Sequence, residues 1–192
     1  MREQRISASL LICLALGLLV LPMQWVFAAV LAAVFHEYCH YLAIRLCGGQ
    51  TAGLNAGLLG ARLEVRGLST PQELVCALTG PLGSLSLLLA ARWLPRTAIC
   101  AGLQGLYNLL PVYPLDGGRV VRCFAELCLP PLVAVKLCAA LEWVCLIGLL
   151  LLGIYGSFVL NLGLLPVLGS ISLGVRAFRG KIPCKPWGNS VQ

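Results

Sequence analysis

Apolar residues fall along this chain in long, almost charge-free stretches separated by short polar or glycine-rich segments. They do not alternate every second residue, nor recur on one face of a helical period, as they do in elements half-buried in a soluble domain. A helix needs about 20 apolar residues to cross the hydrocarbon of a bilayer. Stretches of about that length run from Ile6 to Met23, Gln24 to Cys47, Pro71 to Leu94, Thr97 to Val112, Pro131 to Leu152 and Ile154 to Val175, the fourth being the shortest. The pattern predicts an all-α membrane protein, a bundle of six transmembrane helices forming a single domain over residues 1–192. Between the second and third stretches, "GGQTAGLNAGLLGARLEVRGLS" is too rich in glycine for a helix. Its tail alternates Ala61, Leu63 and Val65 with Arg62, Glu64 and Arg66, which predicts a strand in a small membrane-associated β-hairpin within the loop 48–70.

Composition sharpens this picture. Hydrophobic residues make up 59% of the 192 and charged residues 11%, against about 45–50% and about 25% in soluble domains. The first apolar stretch follows "MREQR", a basic start it shares with cleaved signal peptides. Further spans follow directly, so it reads as an uncleaved first helix. Lys and Arg near span ends stay on the cytoplasmic side. With six spans, Arg2, Arg5, Arg45, Arg62, Arg66, Arg119, Arg122 and the basic tail 176–192 share one side, and Arg92 and Arg96 lie on the other. Both termini are therefore expected in the cytoplasm. The formal charge of +7 is accounted for by juxtamembrane residues facing anionic lipid, with no call for nucleic acid. The 10 cysteines are scattered through apolar stretches without a Cys-x-x-Cys pair, as small buried hydrophobes would be.

One stretch breaks the apolar pattern in a chemically pointed way. "VFHEYCHYLAIRL", Val34 to Leu46, sets two histidines, a glutamate and a cysteine within the second span, the predicted metal-binding helix 24–47. Positions four apart lie one above the other on a helix, so His36 and His40 can offer two imidazoles to one metal ion with Glu37 alongside. Ionisable groups at membrane depth cost several kcal/mol each and persist mostly when paired, metal-bound or functional. The plainer reading, a polar cluster stapling helices by hydrogen bonds, predicts no bound metal.

Zinc fits such a pair, and a catalytic zinc takes three protein ligands and leaves a position for water. The chain has only 2 histidines, so the third ligand is a carboxylate. Glu3, Glu64 and Glu73 lie in terminal or loop-proximal positions, which leaves Asp116, Glu126 and Glu142. Asp116 lies in "NLLPVYPLDGGR", residues 108–119, where Pro111 and Pro114 break the fourth span and Gly117 with Gly118 predicts a sharp turn just after the aspartate. Broken helix at membrane depth is tolerated where it is buried in protein or lines a watery cavity. Cys39 faces away from the histidine face and reads as packing. Tyr38 and Tyr41 read as core aromatics whose hydroxyls need partners. Glu142, mid-span, is left unexplained, with structural packing favoured over a gating role.

His36-Glu37-x-x-His40 with "NLLPVYPLDGGR" resembles the site-2 protease family of intramembrane zinc metalloproteases, over nearly the whole chain. The six-span layout is similar to the branch containing the stage IV sporulation protease FB. The resemblance implies zinc held by His36, His40 and Asp116, with Glu37 as general base and Asn108 near the active site. "TGPLGS", Thr79 to Ser84, resembles a small-residue motif packed against the metal-bearing helix, and Ala61, Arg62, Leu63, Glu64, Val65 and Arg66 match an element beside the active site. Some sporulation-type members carry a C-terminal nucleotide-sensing domain, whereas only a short basic tail follows the sixth stretch here, so nucleotide control by an attached domain is not expected.

The expected activity is cleavage of a membrane-tethered protein near the cytoplasmic face of a bacterial cell membrane, with release of a cytoplasmic fragment such as a sporulation or stress transcription factor. An inhibitory membrane partner belongs to the same expectation. The alternative class is a metal-binding membrane protein without proteolytic activity, such as a metal transporter, which would move zinc into sealed vesicles and cut nothing.

Overall fold

The computed structural model describes residues 21–57, 60–161 and 163–179. In chain order these form α1 (Met23–Leu46), β1 (Gln50–Gly57), β2 (Gly60–Arg66), α2 (Thr70–Ser86) with a 3-10 turn at Leu87–Ala90, α3 (Pro95–Asn108), α4 (Asp116–Cys128), α5 (Pro131–Phe158) and α6 (Leu165–Arg179). Among the described residues, three stretches are long and apolar enough to cross a membrane: Met23–Leu46, Thr70–Ala90 and Pro131–Phe158. The first expected span lies almost entirely outside the described residues. At 14 and 15 residues, α3 and α6 extend about 21 and 22 Å, short of the roughly 30 Å of hydrocarbon.

Local chemistry sets the element ends. α1 stops in a Schellman motif: the Gly49 N–H donates to Ile44 O (2.9 Å) and the Gly48 N–H to Arg45 O (3.1 Å), with Gly48 at φ +77. α2 starts at the N-cap Ser69, whose N–H donates to Gln72 Oε1 at 2.9 Å. β1 and β2 pair antiparallel, with Leu54 opposite Leu63 and a register shift between Thr51 and Gly53. Among the described residues this sheet has two strands, so each keeps one edge without a partner strand. Residues 58–59 between them, and the side chains of 50–66, lie outside the described set.

α1, α2 and α3 pack on one another, α4 packs on α2 and α5, and α5 packs on α6. Small side chains fill the first three interfaces: Ala28, Ala32, Ala77, Ala98 and Ala101 are all buried. This is how helices approach closely when lipid removes the usual hydrophobic incentive to associate. A second apolar cluster joins Val112 and Leu115, on the link between α3 and α4, to Leu173 and Ala177 of α6.

Several sequence expectations need correction. The fourth span does not reach Val112, because α3 ends at Asn108. Gly117 and Gly118 do not make a turn after Asp116; they form the first turn of α4, a helix the apolar pattern does not announce. Their lack of side chains serves close approach instead. A Cβ at Gly117 would overlap Leu109 O, and one at Gly118 would lie 2.6 Å from Tyr113 N. The break between the last two expected spans also moves, since α5 continues to Phe158 and α6 starts only at Leu165.

Candidate metal centre

The centre is built where α1, α2 and the start of α4 meet. His36 and His40 lie one turn apart on α1, both buried, with ring centroids 4.8 Å apart and planes at 83°. Asp116, at the first position of α4, brings Oδ2 to 3.1 Å from His36 Nε2 and 3.0 Å from His40 Nε2, while the two Nε2 atoms are 3.2 Å apart. Among the described residues, this is the group of three whose ligand atoms can hold a metal ion. A tetrahedral zinc with bonds of about 2.0–2.1 Å sets its ligand atoms about 3.3 Å apart. The observed triangle is close to that.

The far side of the His40 imidazole fixes its role in the triangle. His40 Nδ1 lies 2.8 Å from the Cys76 carbonyl of α2. A carbonyl only accepts, so Nδ1 carries the proton and a neutral His40 turns a bare Nε2 lone pair inward. His36 Nδ1 lies 2.8 Å from Ser84 Oγ, also on α2. Asp116 Oδ2, as a carboxylate oxygen, is an acceptor as well. Lone pairs of an imidazole and a carboxylate thus converge in a buried space, an arrangement that calls for a cation.

The packing around these ligands is tight. A Cβ at Gly80 of α2 would overlap the His40 ring. Asn108 Nδ2, at the end of α3, lies 3.5 Å from His36 Nε2. Glu37 is partly buried beside the ligands and within electrostatic reach of His40, His36, Asp116 and Arg119. Arg119, one turn along α4 from Asp116, donates from Nη2 to Glu73 Oε1 of α2 at 3.2 Å.

The structure therefore brings together His36, His40, Asp116, Glu37 and Asn108. Among the other carboxylates, Glu126 pairs with Arg122 at 2.8 Å, and neither it nor Glu142 joins the ligand group. Cys39 packs where Gly83 leaves room for its Sγ. Tyr38 and Tyr41 are exposed rather than core, and the Tyr41 hydroxyl accepts from Arg45 Nε at 3.1 Å. Ala61 to Arg66 form β2, with side chains outside the described set. The Nδ1 partners on α2 are what the residue pattern did not reveal. The signal for Ser84 was its place four residues after Gly80, on the same face of an apolar helix.

Comparison with solved structures finds the site-2 protease from Methanocaldococcus jannaschii, superposing with a TM-score of 0.66 over 91% of this chain and 86% of that one, at 19% sequence identity. The chain shares its fold with a site-2 protease. No family model and no curated protein matches the sequence.

Proposed function

We propose that this chain is an intramembrane zinc endopeptidase of the site-2 protease family, cutting a membrane-tethered protein near the cytoplasmic face of a bacterial membrane. The observation that carries the reading is the convergence of His36 Nε2, His40 Nε2 and Asp116 Oδ2 within hydrogen-bonding distances of one another. Support also comes from the shared fold. Zinc held there by His36, His40 and Asp116 would supply Lewis acidity, polarising a peptide carbonyl and lowering the pKa of water toward about 7. Glu37, beside the two histidines, is placed to take a proton from a water adding to the carbonyl carbon and to return it to the departing amine as the C–N bond breaks. Asn108, whose amide lies beside His36, donates to the substrate backbone or to the charge growing on the carbonyl oxygen.

A helical substrate hides its carbonyls in internal hydrogen bonds, so a segment must unwind before it is cut. In this reading the free edge of β2 pairs with the loosened segment, supplying backbone partners and fixing its register. In this reading the apolar stretch before α1 is a further crossing, α3 and α6 complete theirs together with the links at their ends, and both termini lie in the cytoplasm. The cleaved protein is a membrane-held transcription factor of the sporulation or stress type, as in the branch that the layout resembles, and an inhibitory membrane partner holds the enzyme in check.

The deciding assay co-reconstitutes the protein with membrane-tethered candidate substrates. Glu37→Gln is expected to keep its zinc and lose cleavage by at least about 100-fold, the scale on which general bases contribute. Full activity in that variant ends the mechanism. In the same assay, prolines replacing Leu63 and Val65 should slow cleavage at unchanged zinc content, and undiminished cleavage removes the role given to β2.

A further inference from the structure

Resting on the metal-centre reading, we infer that Ser84 is a positioning residue: its Oγ accepts the Nδ1–H of His36 and so fixes the tautomer and ring orientation that turn Nε2 toward Asp116. The two heavy atoms are 2.8 Å apart, in the range of a good hydrogen bond. Ser84 is fully buried and His36 nearly so. A buried hydroxyl in an apolar helix must be partnered to be tolerated, and here its partner is a candidate metal ligand.

α3 seals this contact from the other side. A Cβ at Gly105 would lie 3.1 Å from Ser84 Cβ and 3.1 Å from Pro81 O, so a side chain there would press α3 a few tenths of an ångström away from α2. With the site closed in this way, a water has little room to take the place of a missing hydroxyl. The arrangement also parallels that of His40, whose Nδ1 is held by the Cys76 carbonyl. α2 thus anchors both imidazoles, one through its backbone and one through a side chain. The backbone anchor survives any substitution at position 76, whereas the other depends on the residue at position 84. Outer partners of this kind govern metal affinity by orienting the ligand and settling which nitrogen is bare.

The test uses the full-length protein in detergent, with zinc affinity measured by competition against a chromogenic chelator. Ser84→Ala is expected to weaken zinc binding by about 10–100-fold. Ser84→Cys, which keeps a weak acceptor, should fall between Ser84→Ala and the wild type. Ser86 serves as control because its hydroxyl is exposed and donates to the Gly83 carbonyl of its own helix, so Ser86→Ala should bind zinc as the wild type does. Unchanged affinity in Ser84→Ala, or an equal loss in Ser86→Ala, overturns the inference. Should Ser84→Ala fail to fold, 15N-histidine spectra of the zinc-free wild type decide the matter. His36 protonated at Nδ1 supports the role of Ser84, and protonation at Nε2 overturns it. A wild type that binds no zinc at all instead sinks the metal-centre reading, a result distinct from either.

Discussion

At the scale of single residues, one of the positions with least freedom at the centre has no side chain. Gly80 faces the His40 imidazole so closely that an added methyl would occupy the ring's own space. The ring cannot simply swing aside, because its Nδ1–H is held by Cys76 O on the same helix. Gly80→Ala should therefore displace Nε2 from the ligand triangle and lower zinc affinity by more than about 10-fold, the effect seen when ligand orientation is lost. Gly102→Ala makes the matched control, since its Cβ would meet only the Leu88 side-chain tip at 2.9 Å, which can rotate away. Zinc content of the two purified variants separates them, and equal retention would refute the steric account. What the sequence reveals at this scale follows from range. His36 and His40 declare themselves because a four-residue spacing on a helix is a local fact. Ser84 is 48 residues from His36, and the small residues of Thr79 to Ser84 mark a packing face without marking which imidazole its hydroxyl will meet.

At the scale of elements, the geometry depends on how α4 is held against α2. Asp116 and Arg119 are three residues apart and so share a face of α4, the aspartate reaching α1 and the arginine reaching Glu73 near the start of α2. That ion pair is partly exposed, with side chains 31% and 45% accessible, and on its own it contributes at most about 1 kcal/mol to stability. Its larger consequence is register, because a small slide of α4 along α2 carries Asp116 away from the imidazoles. Arg119→Glu should weaken zinc binding through like-charge repulsion with Glu73, and adding Glu73→Arg should recover most of the loss. A double variant no better than the single one would show that the pair does not set the register. α4 itself escaped the sequence reading for a physical reason. It is a 13-residue amphipathic helix opening on two glycines, poor helix formers that resemble a turn when read alone. Only the crowded backbone of residues 109–113 explains them. The α5–α6 boundary is hidden in the sequence for a related reason: uniform apolarity carries no period, so nothing within Leu149 to Val159 marks where one helix ends.

At the scale of the whole molecule, the three ligands link distant parts of the chain, since Asp116 is 80 residues from His36 and 76 from His40. Without a cation, the carboxylate and the His40 lone pair face each other in a buried space, a repulsion that a bound ion would convert into two ligand bonds. A bound ion stabilises the folded state by mass action, by about 2.7 kcal/mol at a free concentration 100 times its dissociation constant. In a chain of this length that is a shift in thermal midpoint of about 5–10 °C. Chelation should thus lower the midpoint by that order, and Asp116→Asn should shrink the difference between zinc-loaded and zinc-free protein. The loss should also be local. Val112 and Leu115 are anchored against Leu173 and Ala177 of α6, contacts that owe nothing to a metal, whereas the first turn of α4 is tied to α1 through Asp116. Amide exchange after zinc removal is therefore expected to accelerate in the first turn of α4 ahead of α1, α2 and α5. Uniform acceleration across all helices would mean that the ion holds the bundle as a whole, and that the centre is not a clasp between two otherwise self-sufficient halves.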